Sequence, residues 1–169
     1  ETFSKHFDAV PRGCWPAEGG ISTGFAHMLG EMGFGWTASG GNVLHNSLAR
    51  YNPKTAAEPH ALYRPYRLDG GRSPACFFRD DGLSDLIGFT YSNWHADDAV
   101  NNLVHNLETI AATCERDGHD CVVSIILDGE NAWEHYPENG YHFLSGLYAR
   151  LSDHPAIGMA TFSSCLDER

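Results

Sequence analysis

A nearly continuous apolar segment at residues 121–127 (CVVSIIL) constrains the fold more than any other part of this sequence. Branched aliphatic residues fill successive positions, so the segment has no polar face to turn toward solvent. Strands buried on both faces have this composition, and they occur in parallel sheets that are covered by helices. The segment therefore predicts an α/β fold with parallel strands, and Asp128 follows the carboxyl end of this strand.

Helical and extended segments alternate along the rest of the chain, as such a fold requires. The clearest helix carries apolar residues on one face, and we expect Asp97 or Asp98 to cap it and Gly118 to end it. The predicted helices cover residues 21–33, 42–50, 97–117 and 140–151, and the predicted strands cover residues 36–39, 75–79, 121–127 and 157–162.

Length and charge exclude several kinds of partner. The 169 residues suffice for one domain or most of one, and residues 1–169 are expected to form a single segment. Asp and Glu number 22 against 11 Lys and Arg, and the resulting charge of -11 repels phosphate backbones and anionic membranes. No apolar run approaches the roughly 20 residues that a membrane-spanning helix needs. Neither nucleic acid nor a membrane is expected as a partner.

The cysteines indicate a reducing environment. Five are present, an odd number, and they are spread along the chain without a C-x-x-C pair. This pattern predicts neither a disulfide framework nor a cysteine-rich zinc site. Reduced thiols and a cytoplasmic location are the expectation.

Three segments that combine carboxylates, glycines and aromatic residues lie at the ends of predicted strands. They are residues 13–20 (GCWPAEGG), 77–89 (FFRDDGLSDLIGF) and 127–134 (LDGENAWE). Parallel α/β sheets bind their ligands beyond the carboxyl ends of the strands. These three segments are therefore the candidate functional site.

Two of the carboxylates have the chemistry needed to cleave a glycosidic bond. One carboxyl group must attack or stabilise the oxocarbenium-like centre, and another must protonate the leaving oxygen. Glu18 and Asp128 are the candidates, since each follows a different strand. From spacing alone the alternatives stay open, because Glu18 could simply favour a helix N-terminus and Asp128 could simply cap a turn.

Aromatic and polar residues near these carboxylates could hold a sugar. The flat faces of tryptophan can pack on the C–H faces of sugar rings, while charged and amide groups bind hydroxyls. Tryptophans are also frequent in cores, and the charged residues of the second segment could form only a capped turn with local ion pairs. The candidate substrate-binding residues are Trp15, Trp94, Trp133, Arg79, Asp80, Glu130 and Asn131.

Together the three segments resemble glycoside hydrolase family 57, especially its amylopullulanase-like branch, over about residues 7–148. In that family a Gly-x-Trp-Pro-x-Glu-Gly segment carries the catalytic nucleophile, which falls on Glu18 here. A strand ending in Leu-Asp-Gly-Glu-Asn-Ala-Trp-Glu carries the general acid/base, which falls on Asp128. Two such motifs in the right order are much more specific than either motif alone.

The resemblance implies a retaining glycoside hydrolase or glucanotransferase that acts on α-glucan oligo- or polysaccharides, without a metal ion or cofactor. Its fold would be part of an incomplete (β/α)7 barrel with parallel strands. The family's His-Gln-Pro motif is absent, because the sequence contains no Gln. We therefore expect this segment to be the central part of a catalytic barrel, with the remainder of the parent polypeptide as its partner.

Two further hypotheses remain open at this point. Ten histidines raise the alternative of a metal-dependent carbohydrate deacetylase or mannosidase, although they are scattered and form no His-x-x-x-His pair. The other alternative is a non-catalytic carbohydrate-binding segment that holds glucan with its tryptophans. Binding by such a segment would survive the loss of Glu18 and Asp128, whereas the turnover of an enzyme would not.

Overall fold

A parallel sheet forms the centre of the fold in the computed structural model, which describes residues 2–68, 71, 73–130 and 133–167. Its strands β1 (Gly13–Cys14), β2 (Trp36–Gly40) and β3 (Ala75–Arg79) lie side by side in chain order. Both neighbouring pairs are parallel, so the carboxyl ends of all three strands meet at one edge. This open sheet confirms the predicted α/β class with parallel strands.

Helices connect the strands and cover the sheet. A π-helical turn (Leu86–Thr90) follows the fifth helix directly. Within the described ranges, no helix has both the length and the apolar character that crossing a membrane would require. The α-helices are α1 (Thr2–Phe7), α2 (Thr23–Glu31), α3 (Gly41–Tyr51), α4 (Pro53–Ala56), α5 (Asp81–Asp85), α6 (Ala96–Arg116), α7 (Tyr141–Ser152) and α8 (Phe162–Asp167).

The longest helix, α6, lies within three residues of its predicted bounds. Its N-cap residue is His95, whose side chain makes no capping hydrogen bond, so the predicted Asp cap is wrong. Asp97 and Asp98 instead lie in the first turn, where their negative charges favour the helix N-terminus. The chain turns away at Gly118, which has a φ of +71°, as expected for a glycine that ends a helix.

The sheet is buried on both faces. Phe77 is 1% exposed and packs on one side, where α8 contributes Phe162. Its neighbour Phe78 points to the opposite side and packs with Leu44 of α3. A third and larger cluster is built around α6 and α7. Two covered faces are what the apolar composition of a buried parallel strand predicts.

The prediction of a strand over residues 121–127 is only partly correct. The segment is extended, but it makes a single parallel bridge, between Ser124 and the last residue of β3, Arg79. A longer ladder would require the segment to pair with earlier residues of β3 as well. That part of the β3 edge is occupied, because Tyr66 pairs with Cys76. Residues 125–127 extend past the end of β3, and they pair with no strand within the described part of the chain.

The predicted strand over residues 157–162 is wrong. Its last residue begins α8, and the rest forms no ladder in the described part of the chain. Thr161 explains the difference, because its hydroxyl accepts the N–H of Ser164 at 3.1 Å while the Ser164 hydroxyl accepts the N–H of Thr161 at 2.9 Å. This reciprocal capping pattern starts a helix where the apolar run alone indicates a strand.

The expectation of reduced thiols is wrong for two of the cysteines. Cys114 in the last turn of α6 and Cys121 form a disulfide, with a Cα–Cα distance of 6.2 Å. The reversal at Gly118 returns the chain to the helix and brings the two residues together. Cys14 and Cys76 are free thiols. A cytoplasmic location, which rested on reduced cysteines, stays a prediction.

Candidate active site

Glu18 stands in a short turn that the chain makes directly after β1. The turn Ala17–Gly19 is a single 3-10 helix turn, and Glu18 has φ +54° and ψ +23° inside it. Left-handed backbone is uncommon for a residue with a side chain and costs on the order of 1–3 kcal/mol. The surrounding structure must therefore hold Glu18 in place, and its side chain is exposed to solvent.

Two buried contacts hold this turn. The hydroxyl of Ser39, a residue of β2, donates to the carbonyl oxygen of Gly19 at 2.6 Å, and Ser39 is fully buried. The indole of Trp15 lies over Gly19, where a Cβ would come within 2.8 Å of the ring. Gly19 has φ +65°, so both its backbone and its surroundings require a glycine. Strand β2 thus fixes the residue next to Glu18.

Asp128 follows the extended 121–127 segment. It is exposed, as are Gly129 and Glu130 after it. The candidate substrate-binding residue Asn131 lies outside the described residues. Ile126, two residues before Asp128, is held by side chains: its N–H donates to the Ser84 hydroxyl at 3.2 Å, and its carbonyl accepts a hydrogen bond from Arg79 at 2.9 Å.

Glu18 and Asp128 lie beyond the same edge of the sheet. Glu18 follows β1, and Asp128 follows the segment that pairs with the end of β3. Three inter-strand spacings of about 4.8 Å separate their parent segments, or about 14 Å measured along the sheet.

Arg79, at the end of β3, is engaged on all three of its side-chain nitrogens. Nε donates to the Ile126 carbonyl at 2.9 Å, Nη1 to Asp81 at 3.0 Å and Nη2 to Asp85 at 2.7 Å. Partial burial lowers the pKa of Arg79, but the hydrogen bonds to Asp85 and Asp81 outweigh it and raise the pKa overall. Arg79 therefore stays charged and links three segments at the carboxyl edge.

Asp80 is a buried capping residue. One carboxylate oxygen accepts the N–H of Leu83 at 2.9 Å and caps α5, and the other accepts the hydroxyl of Tyr63 at 3.0 Å. Burial, followed by the adjacent Asp80 carboxylate, raises the pKa of Tyr63, so this phenol remains a donor. Both carboxylate oxygens of Asp80 thus have protein partners, and the residue is only 8% exposed.

The three candidate tryptophans have different surroundings. Trp15 is 39% exposed beside Glu18, and Trp94 is 42% exposed with its ring 5.3 Å from that of Tyr91. Trp133 is half-buried and packs against Tyr136 and Phe143 at the edge of the α6 cluster. Trp15 and Trp94 offer open ring faces, whereas Trp133 contributes to the core.

Two residues of the site are absent from the sequence-based candidates, Ser39 and Ser84. Both are fully buried. Ser39 binds the backbone of Gly19, next to Glu18, and Ser84 binds the backbone of Ile126, two residues before Asp128. A serine is an unusual residue for a strand that is otherwise buried, and this was the available signal for Ser39. No sequence pattern connects Ser84 to residue 126, because their contact depends on tertiary structure.

Potential metal ligands are scattered over the described residues. Across residues 2–68, 71, 73–130 and 133–167, no three His, Cys, Asp or Glu side chains stand where they could share a metal ion. The metal-dependent alternative therefore has no ligand set in this part of the chain.

The structure is thus a parallel α/β fold in which Trp15, Glu18 and Asp128 follow the carboxyl ends of parallel segments, where proteins of this class bind their ligands. The sequence profile of glycosyl hydrolase family 57 matches residues 1–168, and the chain belongs to that family. No curated protein sequence matches the chain.

Two solved structures share this fold. The α-amylase AmyC from Thermotoga maritima superposes with a TM-score of 0.76 at 17% identity, over 99% of this chain and 43% of its own. The 4-α-glucanotransferase from Thermococcus litoralis gives a TM-score of 0.67 at 18% identity, over 99% of this chain and 24% of its own. This chain thus spans less than half the length of either protein.

Proposed function

We propose that this chain is the central part of the catalytic barrel of a retaining glycoside hydrolase or glucanotransferase that acts on α-glucans. Glu18 is the nucleophile and Asp128 the general acid/base. The observation that carries the proposal is that a family 57 chain has these two carboxylates beyond the carboxyl ends of parallel segments, at one edge of the sheet. The fold shared with an α-amylase and a glucanotransferase supports the substrate class.

The reaction is a double displacement. Glu18 attacks the anomeric carbon while Asp128 protonates the departing glycosidic oxygen, which leaves a covalent glycosyl-enzyme. Asp128 then removes a proton from water, or from a sugar hydroxyl in a transferase, and the incoming oxygen displaces Glu18. Two successive inversions retain the anomeric configuration.

Exposed side chains of the three segments supply the sugar contacts. Trp15 and Trp94 expose indole surface on which the C–H face of a glucose ring packs, and Glu130 accepts hydroxyl hydrogen bonds. Trp15 has two functions in this proposal, because the same ring also covers Gly19. The remaining strands of the barrel come from the parent polypeptide, since this chain covers only part of either related structure.

The proposal is tested by neutralising each carboxylate in the full-length protein. We expect Glu18→Gln and Asp128→Asn each to lower kcat on maltooligosaccharides by at least about 10³-fold, while the sugar affinity changes little, because both groups act on the transition state. Proton NMR of the first product reports the anomeric configuration. Mass spectrometry of Asp128→Asn with a 4-nitrophenyl α-maltooligoside, whose leaving group needs no proton, reports the glycosyl-enzyme on Glu18.

Matched controls are exposed carboxylates on two helices, Glu31→Gln in α2 and Asp98→Asn in α6. Neither control should change turnover. Inverted product, or full activity after loss of Glu18 or Asp128, would contradict the assignment. Glucan binding without turnover in the wild-type protein would instead support the non-catalytic carbohydrate-binding alternative.

A further inference from the structure

The segment that carries Asp128 is anchored by side chains rather than by a strand ladder. Ser124 is the last residue that pairs with β3, and Asp128 lies four residues further along. Between them, both backbone polar groups of Ile126 are bound by side chains, the N–H by Ser84 and the carbonyl by Arg79. The position of Asp128 therefore depends on these two contacts.

Arg79 is itself held by two carboxylates. Its guanidinium bridges Asp81 and Asp85 on α5, at 3.0 and 2.7 Å. The second oxygen of Asp81 accepts the N–H of Asn42 at 3.1 Å, at the start of α3 after β2. Because both Nη atoms of the planar guanidinium are bound to carboxylates, the direction of its Nε–H is fixed. This Nε–H donates to the Ile126 carbonyl oxygen.

Ser84 holds the other side of the same residue. It is fully buried on α5, and α5 is capped by Asp80, which also binds Tyr63. The backbone N–H of Asp80 in turn donates to the Ser124 carbonyl at 2.8 Å. Three successive contacts from β3 and α5 thus reach residues 124 and 126 and stop two residues short of Asp128.

We propose that Arg79 and Ser84 are positioning residues that place Asp128 for proton transfer through their hydrogen bonds to Ile126. The inference rests on the proposed function and assigns to Arg79 a different role from substrate binding. A misplacement of about 1 Å at a reacting group lowers a rate by about 10²-fold. Loss of either anchor should therefore impair the steps that need Asp128 more than the steps that do not.

The test compares two leaving groups in the full-length protein. A maltooligosaccharide needs a proton on its departing oxygen, whereas a 4-nitrophenyl α-maltooligoside releases a phenolate that does not. We expect Arg79→Met to lower kcat/KM about 10²-fold on the maltooligosaccharide and less than about threefold on the aryl glycoside. KM for the maltooligosaccharide should change little, because Arg79 does not touch the sugar.

Azide provides a second readout. After the aryl group leaves, azide attacks the anomeric carbon of the glycosyl-enzyme and releases the Glu18 carboxylate, forming a glycosyl azide without the help of a base. We expect azide to raise kcat of Arg79→Met and Ser84→Ala on the aryl glycoside and to leave the wild-type kcat unchanged. A loss of stability alone would not produce a leaving-group dependence or azide rescue.

Arg64→Met is the matched control, because Arg64 also makes two internal bonds, to Glu58 at 2.7 Å and to Tyr66 at 3.0 Å. It should show no leaving-group dependence. Arg79→Lys keeps a charge between Asp81 and Asp85 but lacks Nε, so it should behave like Arg79→Met. If Arg79→Met does not fold, Arg79→Lys and Ser84→Ala decide the question.

The outcomes separate the two proposals. Equal losses on both substrates with a raised KM would show that Arg79 contacts the sugar, and wild-type behaviour of both Arg79→Lys and Ser84→Ala would show that neither residue positions Asp128. Asp128→Asn is measured in parallel. If Asp128→Asn is itself fully active, the proposed function fails, whatever the Arg79 variants do.

Discussion

At the scale of the residue, the turn that holds Glu18 shows how a site constrains its neighbours. Glu18 and Gly19 are both left-handed, and only the second of them is a glycine. Ser39 binds the carbonyl of Gly19, and Trp15 covers its Cα. These contacts to Gly19 therefore fix the backbone from which the Glu18 side chain extends.

We expect Gly19→Ala to destabilise the protein by about 1–3 kcal/mol. The positive φ of Gly19 is unfavourable for alanine, and the new Cβ would clash with the Trp15 ring. The control is Gly24→Ala in α2, where an added Cβ has no heavy atom within 4 Å. This substitution should raise the free energy of unfolding by up to about 1 kcal/mol, because alanine favours a helix more than glycine does. Urea unfolding measures both changes. Equal stability of the two variants would contradict the close packing at Gly19.

At the scale of the element, α6 is the helix on which most of the core is assembled. Leu103 and Val104 are at most 1% exposed, and they lie in a cluster with Tyr91 and with Phe143 of α7. The apolar stripe along one face of α6 is wide enough to contact α7 and the 121–127 segment at once. The two helices and the 121–127 segment thus share one core.

Leu103→Ala should cost about 2–5 kcal/mol of unfolding free energy, because the fully buried side chain leaves a cavity between packed elements. His105→Ala, two residues further along on the exposed face of α6, serves as the comparison and should change stability by less than about 0.5 kcal/mol. Denaturant midpoints at constant slope give both values. A small effect of Leu103→Ala would mean that the α6 cluster is loosely packed.

At the scale of the whole molecule, the disulfide between Cys114 and Cys121 joins α6 to the extended segment that runs past the end of β3. It connects the end of α6 to the beginning of the 121–127 segment, whose other end carries Asp128. Cys76 lies inside the sheet, and burial raises the pKa of its thiol to about 12. At neutral pH Cys76 therefore remains a protonated thiol that exchanges poorly with disulfides.

Reduction of this disulfide should destabilise the protein by about 2 kcal/mol, because opening a short loop restores chain entropy to the unfolded state. Urea unfolding with and without reductant measures the effect. The double variant Cys114→Ser, Cys121→Ser is the control and should be insensitive to reductant. An unchanged midpoint for the wild-type protein would argue against the cross-link.

Local sequence patterns predicted several features of the fold. The amphipathic stripe of α6, the apolar composition of residues 121–127 and the glycine at 118 each act over a few neighbouring positions, so the helix, the α/β class and the helix end were predictable. The order of two carboxylate motifs along the chain also carried the resemblance to family 57, which the family match confirms.

The tertiary structure decided what depends on distant partners. Tyr66 occupies the edge of β3, so residues 121–127 form one bridge instead of a strand, and the reversal at Gly118 pairs two cysteines that no spacing rule connects. The sequence by itself determined the two motifs that carry the candidate carboxylates and their order along the chain. Only the fold decided that Ser39, Arg79 and Ser84 hold the backbone beside them, because those hydrogen bonds join residues 20 to 47 positions apart.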